Sequence, residues 1–208
     1  MITDCTCPKA TSLTTITAAA CGLDLGQIQR MAFQRLGYQF DDTDDATNIL
    51  KKAAWDALKI ATDDTKVVIT PMIGGDPIID AGDAITSGGG DNSTLDGVEE
   101  VTGVNPGSFS CVFKSMAPAN EREMKTLICE GRMKVYFFLQ GGKIACWEVV
   151  PGTAGDYQGF NADNVFLGDR NNAGFGAKDT NAFSFQLPAG YSNNLVILTP
   201  EFNPLTDI

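Results

Sequence analysis

Residues 133–150, MKVYFFLQGGKIACWEVV, decide the fold. Met133 to Gln140 and Lys143 to Val150 are two apolar, β-branched and aromatic runs, and only Gly141-Gly142 separates them. Two glycines between such runs are the signature of a tight hairpin, because both central residues of the favoured turn need positive φ. Working outward, Phe109, Cys111 and Phe113 alternate with Ser108, Ser110 and Lys114. Phe183, Phe185 and Leu187 do the same against Ser184 and Gln186. Period-two alternation puts one face on a core and the other in water. Further strands are expected at Lys66 to Ile73, Asn164 to Gly168 and Leu195 to Thr199. The stretch Leu25 to Tyr38 carries both helical and strand spacing and is read as strand.

Two helices interrupt the series. The first is expected to start on Asp44 or Asp45, where the acidic run 41–45 suits the positive end of a helix dipole. Leu50, Ala54, Leu58 and Ala61 would line its buried face. The second follows Asn120 and Glu123, which have capping-box spacing, with Met124, Leu127 and Ile128 as its stripe and Gly131 at its end. Strands outnumber helices, so the fold class is α+β, built on a mainly antiparallel β-sandwich or barrel. The 208 residues suffice for one domain, with an N-terminal arm over 1–25 and an extended loop over 74–97.

That loop, GGDPIIDAGDAITSGGGDNSTLDG, carries five aspartates and no lysine or arginine. Structureless loops longer than ~15 residues are uncommon inside compact domains and often serve a function. Its apolar pieces, Ile78-Ile79 and Ala84-Ile85, would let it pair with itself as a long hairpin. Gly88-Gly89-Gly90 is no phosphate cradle, since no Gly-Lys-Ser/Thr follows and the aspartates repel phosphate. The segment is read as an interaction arm.

Charge and chemistry narrow the functions. The chain carries a formal −11 and no histidine. Such an acidic chain is unsuited to gripping nucleic acid, which is driven by Lys and Arg displacing counterions. Without histidine there is no Ser-His-Asp or Cys-His unit, and no nucleophile elbow, P-loop or dinucleotide fingerprint occurs. Glu99, Glu100 and Glu148 remain as carboxylates for glycoside chemistry, but no spacing singles them out. Catalysis and cofactors are therefore not expected. Cys5, Cys7 and Cys21 supply at most three ligands with spacing unusual for zinc, and Cys111, Cys129 and Cys146 are read as buried free thiols. No run approaches the ~20 apolar residues of a membrane span, and the first residues lack a secretory pattern, so cytosolic synthesis is expected.

In layout and local texture the chain resembles the tail-tube (major tail) proteins of long-tailed bacteriophages. The elements are LGQIQRMAFQR at 25–35, the Gly/Asp-rich excursion at 74–97, NEREMKTLICEG at 120–131, the hairpin after it, and FLGDRNNAGFGAKDTNAFSFQLP at 166–188. The cysteine-rich start and the helix around Leu50 depart from that family. The resemblance implies a β-sandwich whose inner sheets join in a hexameric ring, with rings stacked into a hollow tube in the virion. Tape-measure, tail-terminator and baseplate proteins would be partners besides the chain itself. Six copies would bring roughly −66 to each ring, and an acidic lumen would let DNA slide through without sticking. Ring-to-ring contacts would fall on the loop: its aspartates Asp76, Asp80, Asp83, Asp91 and Asp96, its glycines Gly74, Gly75, Gly88, Gly89 and Gly90, and Ile78, Ile79 and Ile85. The alternatives are a capsid decoration or head–tail connector protein, and a sugar-binding sandwich with Trp147, Tyr136 and Tyr157 as aromatic platforms.

Overall fold

The computed structural model describes residues 25, 27–42, 44–90, 95–150, 155–172 and 174–208. In chain order the elements are β1 (Ile28–Gln34), α1 (Lys52–Ile60), β2 (Val67–Ile69), β3 (Gly75–Asp80), β4 (Ala84–Ser87), β5 (Glu100–Val104), β6 (Gly107–Lys114), α2 (Pro118–Thr126), β7 (Met133–Leu139), β8 (Lys143–Glu148), β9 (Tyr157–Gln158), β10 (Phe160–Leu167), β11 (Thr180–Leu187) and β12 (Leu195–Leu198). Ten strands form one antiparallel sheet system, and β4 and β5 form a separate two-stranded sheet. The α+β reading, mainly antiparallel with two short helices, holds.

The large sheet curls until it closes. From β1 the pairing runs to β7, then β10, β11, β6 and β3. The chain itself completes the circuit, because residues 67–80 serve β1 with their first half and β6 with their second. Thr70 N–H donates to the Met31 carbonyl at 2.9 Å and Ile73 N–H to Gln29 at 2.8 Å, after which Gly74 N–H donates to Val112 across the barrel seam at 2.8 Å. A second corner lies in β10. Phe160–Ala162 pair with β7, the register shifts at Asp163, Asn164 takes φ 53°, and Phe166 and Leu167 continue on β11. Such a bulge lets one strand pass between two sheets. Closure removes most of the open edges that these strands would otherwise present, and among the described residues the outer edge of β2 stays unpaired.

Aromatic rings fill the barrel. Phe33, Phe109, Phe113, Phe137, Phe160, Phe183 and Phe185 are all buried in one cluster. Phe109 stacks on Phe185 at 4.8 Å between centroids, and Phe33 meets Phe185 edge-on at 5.8 Å. Each such pair adds ~0.5–1.5 kcal/mol beyond its burial. Strand β7 is buried along its whole length, which explains why it is apolar on both faces apart from Lys134. Met133, Val135, Phe137 and Leu139 point into the barrel, while Tyr136 and Phe138 point the other way. There they meet a second layer made by α1 and the last residues, centred on Trp55, Phe40 and Ile208. Trp55 lies 5.3 Å from both Tyr136 and Phe138, and its indole N–H donates to the Ile49 carbonyl.

Both helices begin elsewhere than the sequence predicts. The first starts at Lys52, not on Asp44 or Asp45, and has no side-chain cap. The acidic run instead makes local turns: Asp44 N–H donates to Asp41 Oδ1, and Ala46 N–H to Asp44 Oδ1. Asp side chains that satisfy nearby backbone compete with helix, which delays the start. The second begins on Pro118, whose fixed φ suits a first helical turn, and Gly131 at φ 74° closes the 3₁₀ turn after it.

Cys111 and Cys146 are buried free thiols, whereas Cys129 is exposed. Cys5, Cys7 and Cys21, like the arm at 1–24, lie outside the described residues. Burial pushes the Cys111 thiol up to about 12 and raises Cys146 as well. Thiolate is the reactive form. Iodoacetamide at pH 8 should therefore modify Cys129 in the native chain and spare Cys111 and Cys146 until denaturant is added. Peptide mass mapping reads the difference directly.

Candidate assembly surface

The predicted loop divides into two parts with different roles. Gly75–Asp80 is not loop but the barrel's seam strand, with Ile78 opposite Ser110, Ile79 opposite Phe109 and Asp80 opposite Ser108. Ile79 packs against the core, and Ile78 and Asp76 face outward. Gly74 stands where the seam passes Lys114: a Cβ there would lie 2.9 Å from the Lys114 backbone nitrogen. The expected self-pairing of Ile78-Ile79 with Ala84-Ile85 does not occur. Strand β3 is taken by β6, because turning Ile79 inward buries it beside the phenylalanines.

The second part is a projecting arm, and it extends past residue 97. Strand β4 pairs with β5, Ala84 opposite Val104 and Ser87 opposite Glu100. The arm's root is narrow. Asn105 N–H donates to the Asp83 carbonyl at 2.9 Å, and a Cβ on Gly82 would fall 1.7 Å from the Asn105 carbonyl oxygen. Its far end turns through Gly88, Gly89 and Gly90, with φ of 95°, 99° and 88°, and Gly90 N–H donates to Gly97. Asp91 and the side chain of Asp96 lie outside the described residues.

All four residues of β4 are exposed, so neither face of the hairpin rests on the barrel. The large apolar side chains Ile85, Leu95, Val98, Val101 and Val104 are 42–82% exposed. Between Lys66 and Lys114 there is no lysine or arginine, while Asp76, Asp80, Asp83, Asp91, Asp96, Glu99 and Glu100 fall within it. A lone two-stranded hairpin is at best marginally stable in water, and clustered exposed apolar residues mark an interaction surface. Sequence reasoning missed the return strand. Its signal was the β-branched run EVTGV just before Asn105-Pro106-Gly107.

The three proposed aromatic platforms are packed away. Tyr136 is fully buried with its hydroxyl 3.1 Å from Gln34 Oε1, Tyr157 is buried, and Trp147 packs against the core. Among the described residues, no cluster of three His, Cys, Asp or Glu side chains is arranged to hold a metal, and no helix is long and apolar enough to cross a membrane. A furrow runs along β2, lined by Arg30, Lys59, Lys66, Val68, Ile69 and Leu127 among others, with a volume of about 600 Å³.

No family model matches the chain, and no curated protein matches it. A search of solved structures finds a similar chain in one described as the cryo-EM structure of the anti-feeding prophage (AFP) baseplate, 6-fold symmetrised. The TM-score is 0.35 at 12% identity, over 91% of this chain and 100% of that one. A likeness this shallow carries no argument about function.

Proposed function

We propose that this chain is a structural subunit of a phage tail, which repeats itself into stacked rings forming a tail tube. The observation that carries the reading is the arm at 84–104: an acidic hairpin with exposed apolar side chains, held clear of a barrel whose own strands close on themselves. A hairpin of that kind is stabilised when a neighbour covers it. The role is structural rather than catalytic, and the partner is a further copy of the chain. Tape-measure, terminator and baseplate proteins would join at the ends of such a tube. With −11 on each copy, a ring lumen would repel a DNA polyanion at close range and let it pass without specific binding. In this reading the protein belongs to the virion tail.

Negative-stain microscopy of the purified chain tests this. Hollow tubes of uniform width are expected at high protein concentration. Discrete rings or trimers that never stack would favour the decoration or connector alternative, and monomers at every concentration would overturn both.

A further inference from the structure

We infer that the furrow beside β2 is the receptor for the β4–β5 arm of a second copy. This rests on the assembly reading above and names the surface that the arm meets. Copies carrying −11 each repel one another, so an acidic arm needs a cationic site on its neighbour. Three observations coincide at this furrow.

The first is an open strand edge. Strand β2 pairs with β1 on one side, and among the described residues no strand pairs with its other side. An unpaired edge accepts an added strand, with backbone hydrogen bonds supplying affinity. The second is charge. Lys59 and Lys66 line the furrow against Glu123, while the Arg30 guanidinium beside them is already donating to the Thr70, Leu205 and Ile208 oxygens. Lys59 has only a loose contact of 3.8 Å to Asp56, which Lys52 also engages, and Lys66 makes no ion pair with any described residue. The third is apolar floor: Val68 is 38% exposed, and Ile69 and Leu127 lie beside it.

The furrow opens into a second hollow of about 450 Å³ that shares Lys66, Val68 and Leu127. Two of its three acids, Asp64 and Glu130, are ion-paired, and the third, Asp63, keeps its charge. Arg35 bridges Asp64 at 2.5 Å and Glu130 at 2.7 Å, and Asp63 accepts from the Thr65 backbone and hydroxyl. The neighbour's Glu99 and Glu100 fall on opposite faces at the start of β5, so Glu99 would face Lys66, with Val101 and Val104 over Val68, and Glu100 would face Lys59 on the α1 side.

Charge reversal and its rescue test the pairing. Lys59→Glu with Lys66→Glu should raise the concentration needed for assembly by roughly tenfold or more, and Glu99→Lys with Glu100→Lys should do the same. Lys66, Glu99 and Glu100 are exposed and Lys59 is half-buried at the helix end, and circular dichroism melts should match the parent chain. Combining all four substitutions should restore assembly. Assembly unchanged by the furrow pair, or no recovery in the fourfold variant, would overturn the furrow as receptor and leave the assembly reading standing. A parent chain that stays monomeric would defeat the assembly reading itself.

Discussion

Excising residues 84–104 and joining Asp83 to Asn105 through two glycines should leave a folded barrel that no longer assembles. The cut ends already meet, since Asn105 N–H donates to Asp83 across 2.9 Å. Closing so short a gap adds little loop entropy. The strands β4 and β5 pair only with each other, so no barrel hydrogen bond is lost. The excised chain should therefore melt within a few degrees of the parent while its sedimentation stays that of a monomer. Removing 75–96 instead, all but the end residues of the loop that the sequence outlines over 74–97, should fail differently. That deletion strips β3 from β6 along Gly75–Asp80 and takes Ile79 out of the core, opening the barrel at its seam. Loss of the cooperative unfolding transition is the expected result there.

The substitution Gly159→Val should destabilise the barrel severely. The β7–β8 hairpin pairs at Phe137–Leu139 and then splays, and the 157–162 stretch wedges between its two strands. Gly159 sits at the wedge. A Cβ there would lie 2.8 Å from the Val135 backbone nitrogen, 2.9 Å from its carbonyl oxygen and 2.9 Å from Lys134 Cβ. Backbone cannot yield as a flexible side-chain tip can, so relief means breaking the β7–β10 ladder. Overpacking costs ~1–3 kcal/mol and more where backbone must yield, a large share of the ~5–15 kcal/mol that holds a domain folded. Urea titration should show a much lower midpoint or no folded baseline. Gly131→Ala is the control, because a Cβ there meets nothing within 4 Å and only the positive φ of 74° opposes it. Its cost should be that of backbone strain alone, ~1–3 kcal/mol, with the β7–β10 ladder intact.

These two predictions also mark what sequence reading reaches. The hairpin at 133–150 and the alternations at 109–113 and 183–187 were legible because period-two patterning is local and one face of each strand is core. Closure was not legible. That 67–80 serves two strands, and that 157–162 enters a split hairpin, depend on which distant edges meet. Trp55 shows the same limit. Its place beneath Tyr136 and Phe138 follows from β7 being buried on both faces, which a short apolar run does not announce. The loop was recognised as unusual by composition, but composition could not separate the seam strand Gly75–Asp80 from the arm, or carry the arm beyond Gly97 to Val104. Gly74, Gly75 and Ile79, named for contacts between subunits, lie against Lys114, Val112 and Phe109 of the same chain.

Amide hydrogen exchange across residues 84–104, in dilute and in assembled protein, bears most directly on the arm as the contact between copies. A hairpin without a packed face opens readily, so its amides should exchange fast when dilute and become protected on assembly, while β7 stays protected throughout. Protection already complete in dilute monomer, or exchange in the assembled particle as fast as before, would contradict it.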